Sequence, residues 1–197
     1  MEASMKTLII LAHPSKNSFN ASISYEVEMH LTNKGHEVRV RDLYALKFNP
    51  VLEEDNHTNF SQNKIIEEII EEQKKILWAE NLVFIYPTWW CGMPAILKGY
   101  FDRVFTNGFA FRYEHLKGAE GLLKEKKCVV FQTTSQTEDF MKPNQLISSM
   151  ETSMDVGILD YCGINVITHK FLYSVPNVDK EAREKMLKEV KSIVDIL

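Results

Sequence analysis

Three short stretches hold most of the side chains that could do chemistry. The first is His13-Pro14-Ser15-Lys16-Asn17-Ser18-Phe19-Asn20, rich in hydroxyl and amide groups where a helix is expected to begin. Free backbone N–H groups and the dipole at such a start can hold a phosphate. Ser18 or Asn17 can equally cap the helix, and the two roles are compatible. The second is Pro87-Thr88-Trp89-Trp90-Cys91-Gly92-Met93-Pro94. Adjacent tryptophans in an extended segment point to opposite sides, so both cannot enter one core. At least one is expected to border a pocket, where a flat ring stacks on a flat ligand. The alternative places one in the core and the other in a dimer interface. The third, Thr133-Thr134-Ser135-Gln136, offers hydroxyls and amides at a strand end, a weak signal alone. The aromatic run Phe109-Ala110-Phe111-Arg112-Tyr113 reads, from composition, as the core of a hairpin.

These stretches need elements to position them. Thr7 to Ala12, Asn81 to Tyr86 and Cys128 to Thr133 are apolar runs of strand length, the pattern of strands buried on both faces. His36 to Asp42 alternates and reads as a strand nearer an edge, and Asn165 to Tyr173 reads as the last strand. Helical periodicity follows each strand: from Phe19 to about Gly35, Asn63 to Trp78, Pro94 to about Thr106, Leu146 to Tyr161, and from about Asp179 onward. The alternation predicts an α/β fold with a five-stranded parallel sheet in the order 2-1-3-4-5 and helices on both faces. In that order a ligand binds beyond the carboxyl ends of the strands, at the switch between the first and third. The three polar and aromatic loops converge there. The chain's first glycine is Gly35, so neither G-x-G-x-x-G nor a Walker loop occupies the first strand-to-helix turn.

The 197 residues suit one domain spanning 1–197. An expression remnant is one reading of Met1 to Ser4, which precede a second methionine, Met5. Lys plus Arg is 23 and Asp plus Glu is 27, a net charge of −4 that argues against nucleic-acid and anionic-membrane partners. The apolar runs are too short to span a bilayer, and no secretory signal is visible. Three widely spaced cysteines without C-x-x-C, and no H-E-x-x-H, give no expectation of disulfides or a metal site. A reducing cytoplasm is the expected compartment.

Together the loops carry a resemblance covering nearly the whole chain. Pro87-Thr88-Trp89-Trp90-Cys91-Gly92-Met93-Pro94-Ala95-Ile96-Leu97-Lys98-Gly99, continuing through Asp102-Arg103-Val104-Phe105 to Gly108-Phe109-Ala110-Phe111, resembles the NAD(P)H:quinone oxidoreductases of the flavodoxin-like superfamily. Ala12-His13-Pro14 with Ser18-Phe19-Asn20 is a second match. The resemblance implies two-electron reduction of quinones or similar flat electrophiles with a bound flavin, NAD(P)H as donor, and a homodimer. It implies that His13, Phe19 and Asn20, with Asn17 and Ser18 in the same loop, hold the phosphate-bearing tail. Pro87, Thr88, Trp89, Trp90 and Cys91 then run along the flavin ring, with Thr133, Thr134, Ser135 and Gln136 at its other side. Phe111 and Tyr113 match substrate-pocket positions. Arg183 matches an arginine near the adenosine diphosphate end of FAD, and FMN is the alternative cofactor. A stacking site shared by donor and acceptor requires ping-pong kinetics.

Two departures stand out. Animal enzymes of this family read Thr-Thr-Gly-Gly where this chain reads Thr133-Thr134-Ser135-Gln136. They also carry a Tyr and a His just after that loop, and neither type occurs between Thr137 and Met150. No acid–base pair is therefore transferred, and the catalytic residues stay unassigned. Some short relatives resemble regulatory subunits of potassium-efflux transporters, which is the alternative function. A flavodoxin-type electron carrier and a flavin-free scaffold are further alternatives.

Overall fold

The computed structural model describes residues 4–52, 67–115 and 118–197. The apolar runs form the centre of a parallel sheet. β1 (Lys6–Leu11) and β3 (Asn81–Pro87) are neighbours, and β6 (Lys127–Thr133) follows β3. β2 (Glu37–Asp42) and β7 (Asn165–Leu172) are the edges, giving the order β2-β1-β3-β6-β7. This is the order that the strand pattern predicts. The aromatic excursion contains the separate antiparallel hairpin β4 (Phe111–Glu114) and β5 (Gly118–Gly121).

Strand alternation splits the apolar residues between two layers. Leu8, Ile10, Phe84, Tyr86, Cys128 and Val130 face α2 (Glu67–Trp78) and α3 (Ala95–Val104). Ile9, Leu11, Val83, Ile85, Val129 and Phe131 face α1 (Phe19–Asn33) and α6 (Lys180–Val194). The expected start of α2 at Asn63, with Ile65 and Ile66, lies outside the described residues. Pro94 is the residue before α3 rather than its first helical one, with φ −56° and ψ 146°. Gly99 in α3 admits the segment after β2, because a Cβ there would sit 2.2 Å from the carbonyl oxygen of Pro50.

The loop after β6 contains a short turn of helix, α4 (Glu138–Met141), that the sequence pattern does not signal. The expected helix over 146–161 is continuous but changes pitch. α5 (Leu146–Glu151) passes into a π-helix, Thr152–Leu159, and then a 3₁₀ turn, Asp160–Cys162. Gly163 ends it at φ +83°.

Asp179 caps α6, its Oδ1 accepting from the Ala182 N–H at 2.8 Å. Asp179→Ala should lower stability by about 1 kcal/mol, the usual cost of losing such a cap. A urea midpoint identical to that of the parent would contradict this.

Candidate functional site

The carboxyl ends of β1, β3 and β6 bring the three loops to one edge of the sheet. Ser18 caps α1, its Oγ accepting from the Ala21 N–H at 3.1 Å. The next two N–H groups, of Phe19 and Asn20, have no acceptor among the described residues, as expected for a first helical turn. Asn20 is buried and donates through Nδ2 to the Thr133 Oγ1 at 2.9 Å. The Thr88 N–H donates to the Thr133 carbonyl at 2.7 Å. Thr133 thus joins the first and second loops to the third.

His13 opens the first loop. Its Nδ1 lies 3.0 Å from the Ser15 backbone nitrogen and 3.3 Å from the Ser15 carbonyl oxygen, so the Ser15 backbone holds the ring in either tautomer. Burial pushes its pKa below the usual imidazole value, partly offset by the Ser15 backbone hydrogen bond and the charge of Asp42. Its ring lies 6.4 Å from that of Trp89, tilted by 56°. Ser15 Oγ accepts from the Asn17 N–H at 3.3 Å, so Asn17 belongs to the same turn.

The second loop folds back on itself. Trp89 and Gly92 exchange backbone hydrogen bonds of 2.9 and 3.1 Å. Between them Trp90 and Cys91 both take left-handed backbone, with φ of 50° and 55°. Two such residues make a type I′ turn, which usually carries Asn and Gly. The turn throws both tryptophans outward: Trp89 is 41% exposed and Trp90 102%. Neither enters the core of the chain. Pro87 remains fully buried as the end of β3, and Cys91 is exposed at the turn's tip.

The third loop is fixed by the chain after β7. The Thr134 N–H donates to the Leu172 carbonyl at 2.9 Å, and the Val175 N–H to the Thr134 carbonyl at 3.0 Å. The Gln136 carbonyl accepts from the Ser174 N–H, and the Ser135 carbonyl accepts from Asn177 Nδ2 at 3.4 Å. The same turn leads to Arg183, whose Nη2 donates to the Val178 carbonyl at 2.9 Å.

Two buried polar atoms among the described residues lack partners: Asn20 Oδ1, at the meeting of the loops, and Arg183 Nε. An orphaned buried polar group is costly and calls for a partner such as a bound water, an ion or a small shift of its neighbours. The donors at the α1 start suit a phosphate, and the flat exposed indoles suit a planar ring. The residues therefore fit a flavin nucleotide. Among the described residues no group of three or more His, Cys, Asp or Glu is placed to hold a metal ion.

Phe111 and Tyr113 lie on β4, and the cavity that Phe111 lines shares Lys98, Ser153 and Ile158 with the cavity beside the tryptophan turn. Phe111 packs edge-on against Tyr161, ring centroids 5.2 Å apart, and lines a cavity of about 500 Å³ with Phe101, Phe105 and Tyr161. Tyr113 is exposed. A smaller cavity of about 180 Å³ sits beside the tryptophan turn, lined by Cys91, Gly92, Gln132 and Met150. Gln132, one residue before the third loop, donates to the Thr88 Oγ1 at 2.8 Å. The sequence pattern alone does not single it out. Its one signal is a lone amide after the apolar run Cys128-Val129-Val130-Phe131.

Comparison with known proteins agrees with this geometry. Residues 5–194 match the flavodoxin-like fold family. The chain is 37% identical to an uncharacterized NAD(P)H oxidoreductase of Haemophilus influenzae, covering 93% of this chain and 91% of that one. It is 33% identical to NAD(P)H dehydrogenase [quinone] 1 of Cavia porcellus, covering 95% of this chain and 75% of the relative. The solved NAD(P)H:quinone oxidoreductase of Methanothermobacter marburgensis superposes with a TM-score of 0.87 at 31% identity, over 96% of this chain and 95% of that one. With its strand order, its convergent loops and these relatives, the chain belongs to the flavodoxin-like NAD(P)H:quinone oxidoreductase family.

Proposed function

We propose that the chain is a flavin-dependent enzyme that uses NAD(P)H to reduce quinones, or similar flat electrophiles, by two electrons. The observation that carries this reading is the cradle of three loops joined at Thr133, with the Phe19 and Asn20 N–H groups at the α1 start left without an acceptor among the described residues. Flavin, when bound, supplies two-electron hydride chemistry. The chain supplies binding and orientation. His13, Asn17, Ser18, Phe19 and Asn20 hold the phosphate tail. The α1 dipole favours the negative charge there. Pro87 to Cys91 line one side of the ring and Thr133 to Gln136 the other. The match of Arg183 to the arginine near the adenosine diphosphate end of FAD in this family favours FAD over FMN.

Trp89 and Trp90 select flatness more than hydrogen-bonding pattern, so broad acceptor tolerance is expected. Donor and acceptor share one stacking face and must take turns, which gives ping-pong kinetics. Phe111 lines a cavity that adjoins the tryptophan turn, and a second copy in a homodimer completes the substrate pocket there. No helix among the described residues is long and apolar enough to cross a membrane, and the proposed compartment is the cytoplasm.

The purified protein should show a flavin spectrum that NAD(P)H bleaches and a quinone restores. Mass spectrometry of the released chromophore should give FAD. Initial rates at several fixed acceptor concentrations should form parallel double-reciprocal lines. Intersecting lines would remove the shared stacking site. A colourless protein that takes up neither FAD nor FMN would overturn the reading and leave the regulatory alternative.

A further inference from the structure

A line of buried and half-buried polar groups runs from the second loop to the far edge of the sheet. Gln132 Nε2 donates to the Thr88 Oγ1 at 2.8 Å and to the Met150 sulfur at 3.0 Å. Gln132 Oε1 lies 3.0 Å from His169 Nε2, and His169 Nδ1 lies 2.8 Å from Asp155 Oδ1. The His169 side chain is only 2% exposed and stacks on Phe171, centroids 4.6 Å apart and planes within 5°. Two irregularities of the fold create this line. The β6–β7 register shifts between Cys128 and Val129, which face Val166 and Thr168 and leave Ile167 as an extra residue. A one-residue bulge reverses which face each later side chain takes. It turns His169 from the α6 face to the face that Gln132 occupies. The π-helix then supplies Asp155 to meet it.

We propose that Asp155, His169 and Gln132 form a positioning relay that sets whether the Thr88 hydroxyl donates or accepts towards a ligand in the cradle. Only the identity of that ligand rests on the flavin reading. The logic is one of donors and acceptors. In the observed arrangement both ring nitrogens of His169 face oxygen acceptors. That arrangement is fully satisfied when both nitrogens carry protons. Gln132 then presents its amide N–H to Thr88, and the Thr88 proton is free to point at the ligand. When His169 is neutral, Asp155 keeps the proton on Nδ1, and the Nε2 lone pair meets the lone pairs of Gln132 Oε1. Turning the amide over relieves this clash. Gln132 then donates to His169 and accepts the Thr88 proton, so Thr88 faces the ligand with a lone pair. Met150 opposes the turn, because its sulfur accepts only from the amide N–H face.

The charged and titratable groups around His169 are few. Asp155 meets it from the π-helix. Glu138 and Lys142 of α4, Glu151 of α5, and Lys170 and Tyr173 beside it in the chain line the same surface cavity. Lys170 is engaged by Glu189 of α6 at 2.5 Å, and Lys142 by Glu138 at 3.0 Å.

The test has two arms. The first is imidazole nitrogen NMR on the flavin-free protein across pH 5 to 8, with His169→Gln to assign the signal. In the neutral ring the proton should sit on Nδ1, the nitrogen that faces Asp155. A neutral ring protonated on Nε2 would overturn the relay. The second is FMN and FAD affinity of the flavin-free protein over the same range. Flavin carbonyls are acceptors, so binding should be about fivefold tighter with His169 protonated, the worth of one hydrogen bond. Gln132→Met and the isosteric Thr88→Val should both flatten this dependence, and a slope unchanged in both would overturn the relay. If the parent protein takes up neither flavin, the flavin reading falls, and the NMR arm still decides the relay.

Discussion

Replacing Arg41 by methionine should cost the fold about 3 kcal/mol, because it strands a buried carboxylate. The carboxylate is Glu72 of α2, whose side chain is 5% exposed. Arg41 of β2 grips it through Nε at 3.1 Å and also through Nη2. Lys75 lies 3.4 Å away and Tyr100 of α3 donates its hydroxyl at 3.3 Å. Burial, with the charge of Glu72, holds the Tyr100 phenol well above its ordinary pKa, so it remains a donor. Without Arg41, one flexible ammonium and one neutral hydroxyl must satisfy an ion taken out of water. The double variant Arg41→Met with Glu72→Leu should recover most of the loss, since neither charge is then buried alone. Urea unfolding of the parent and both variants checks this. A loss below about 1 kcal/mol in the single variant would mean that Lys75 and Tyr100 suffice.

Trp90→Ala should separate binding from folding. The indole is fully exposed, and the turn is held by backbone bonds between Trp89 and Gly92. Alanine meets the same left-handed backbone at φ 50°, so the turn's strain is unchanged. Stability should stay within about 0.5 kcal/mol of the parent. Flavin affinity should fall roughly tenfold to a hundredfold, the range for losing one aromatic stacking partner. Flavin content after gel filtration and a thermal melt without flavin give the two readouts. Unchanged flavin content and turnover would remove Trp90 from the site.

The sheet was legible because strands buried on both faces leave unbroken apolar runs, as Thr7 to Ala12 and Cys128 to Phe131 do. The edge strand His36 to Asp42 was legible from its alternation. The loop positions came from the strand order. The role of the tryptophans was less legible, because two non-glycine residues in left-handed backbone leave no compositional mark. The reading that at least one borders a pocket assumes an extended segment; the turn instead exposes both, with neither in the core. The polar line behind Thr88 was hidden for a different reason. His169 reaches Gln132 only through a bulge, and Asp155 reaches His169 only through a change of helical pitch. Neither a one-residue bulge nor an eight-residue change of pitch shows in patterns of period 2 or 3.6. Arg183 was reached through resemblance alone, since nothing in its spacing distinguishes it from other arginines.

The eight residues of the π-segment constrain how this chain can drift. A π-turn is an α-helix carrying extra residues. Deleting one residue between Thr152 and Leu159 would relax the segment towards ordinary pitch and rotate the upstream helix by roughly 100° relative to the downstream turn. Gly163 anchors the downstream end, its backbone packed against Gly121, where a Cβ would come within 2.3 Å. The rotation would therefore fall on Met150 and Ser153, and on the walls they give to the cavity beside the tryptophan turn. Substitutions on the solvent side, such as at the exposed Val156, leave that geometry alone. Its solvent-facing positions can vary in composition, whereas the buried Met154 and Leu159 and the His169 partner Asp155 are fixed by their contacts, and the segment as a whole is held to its length.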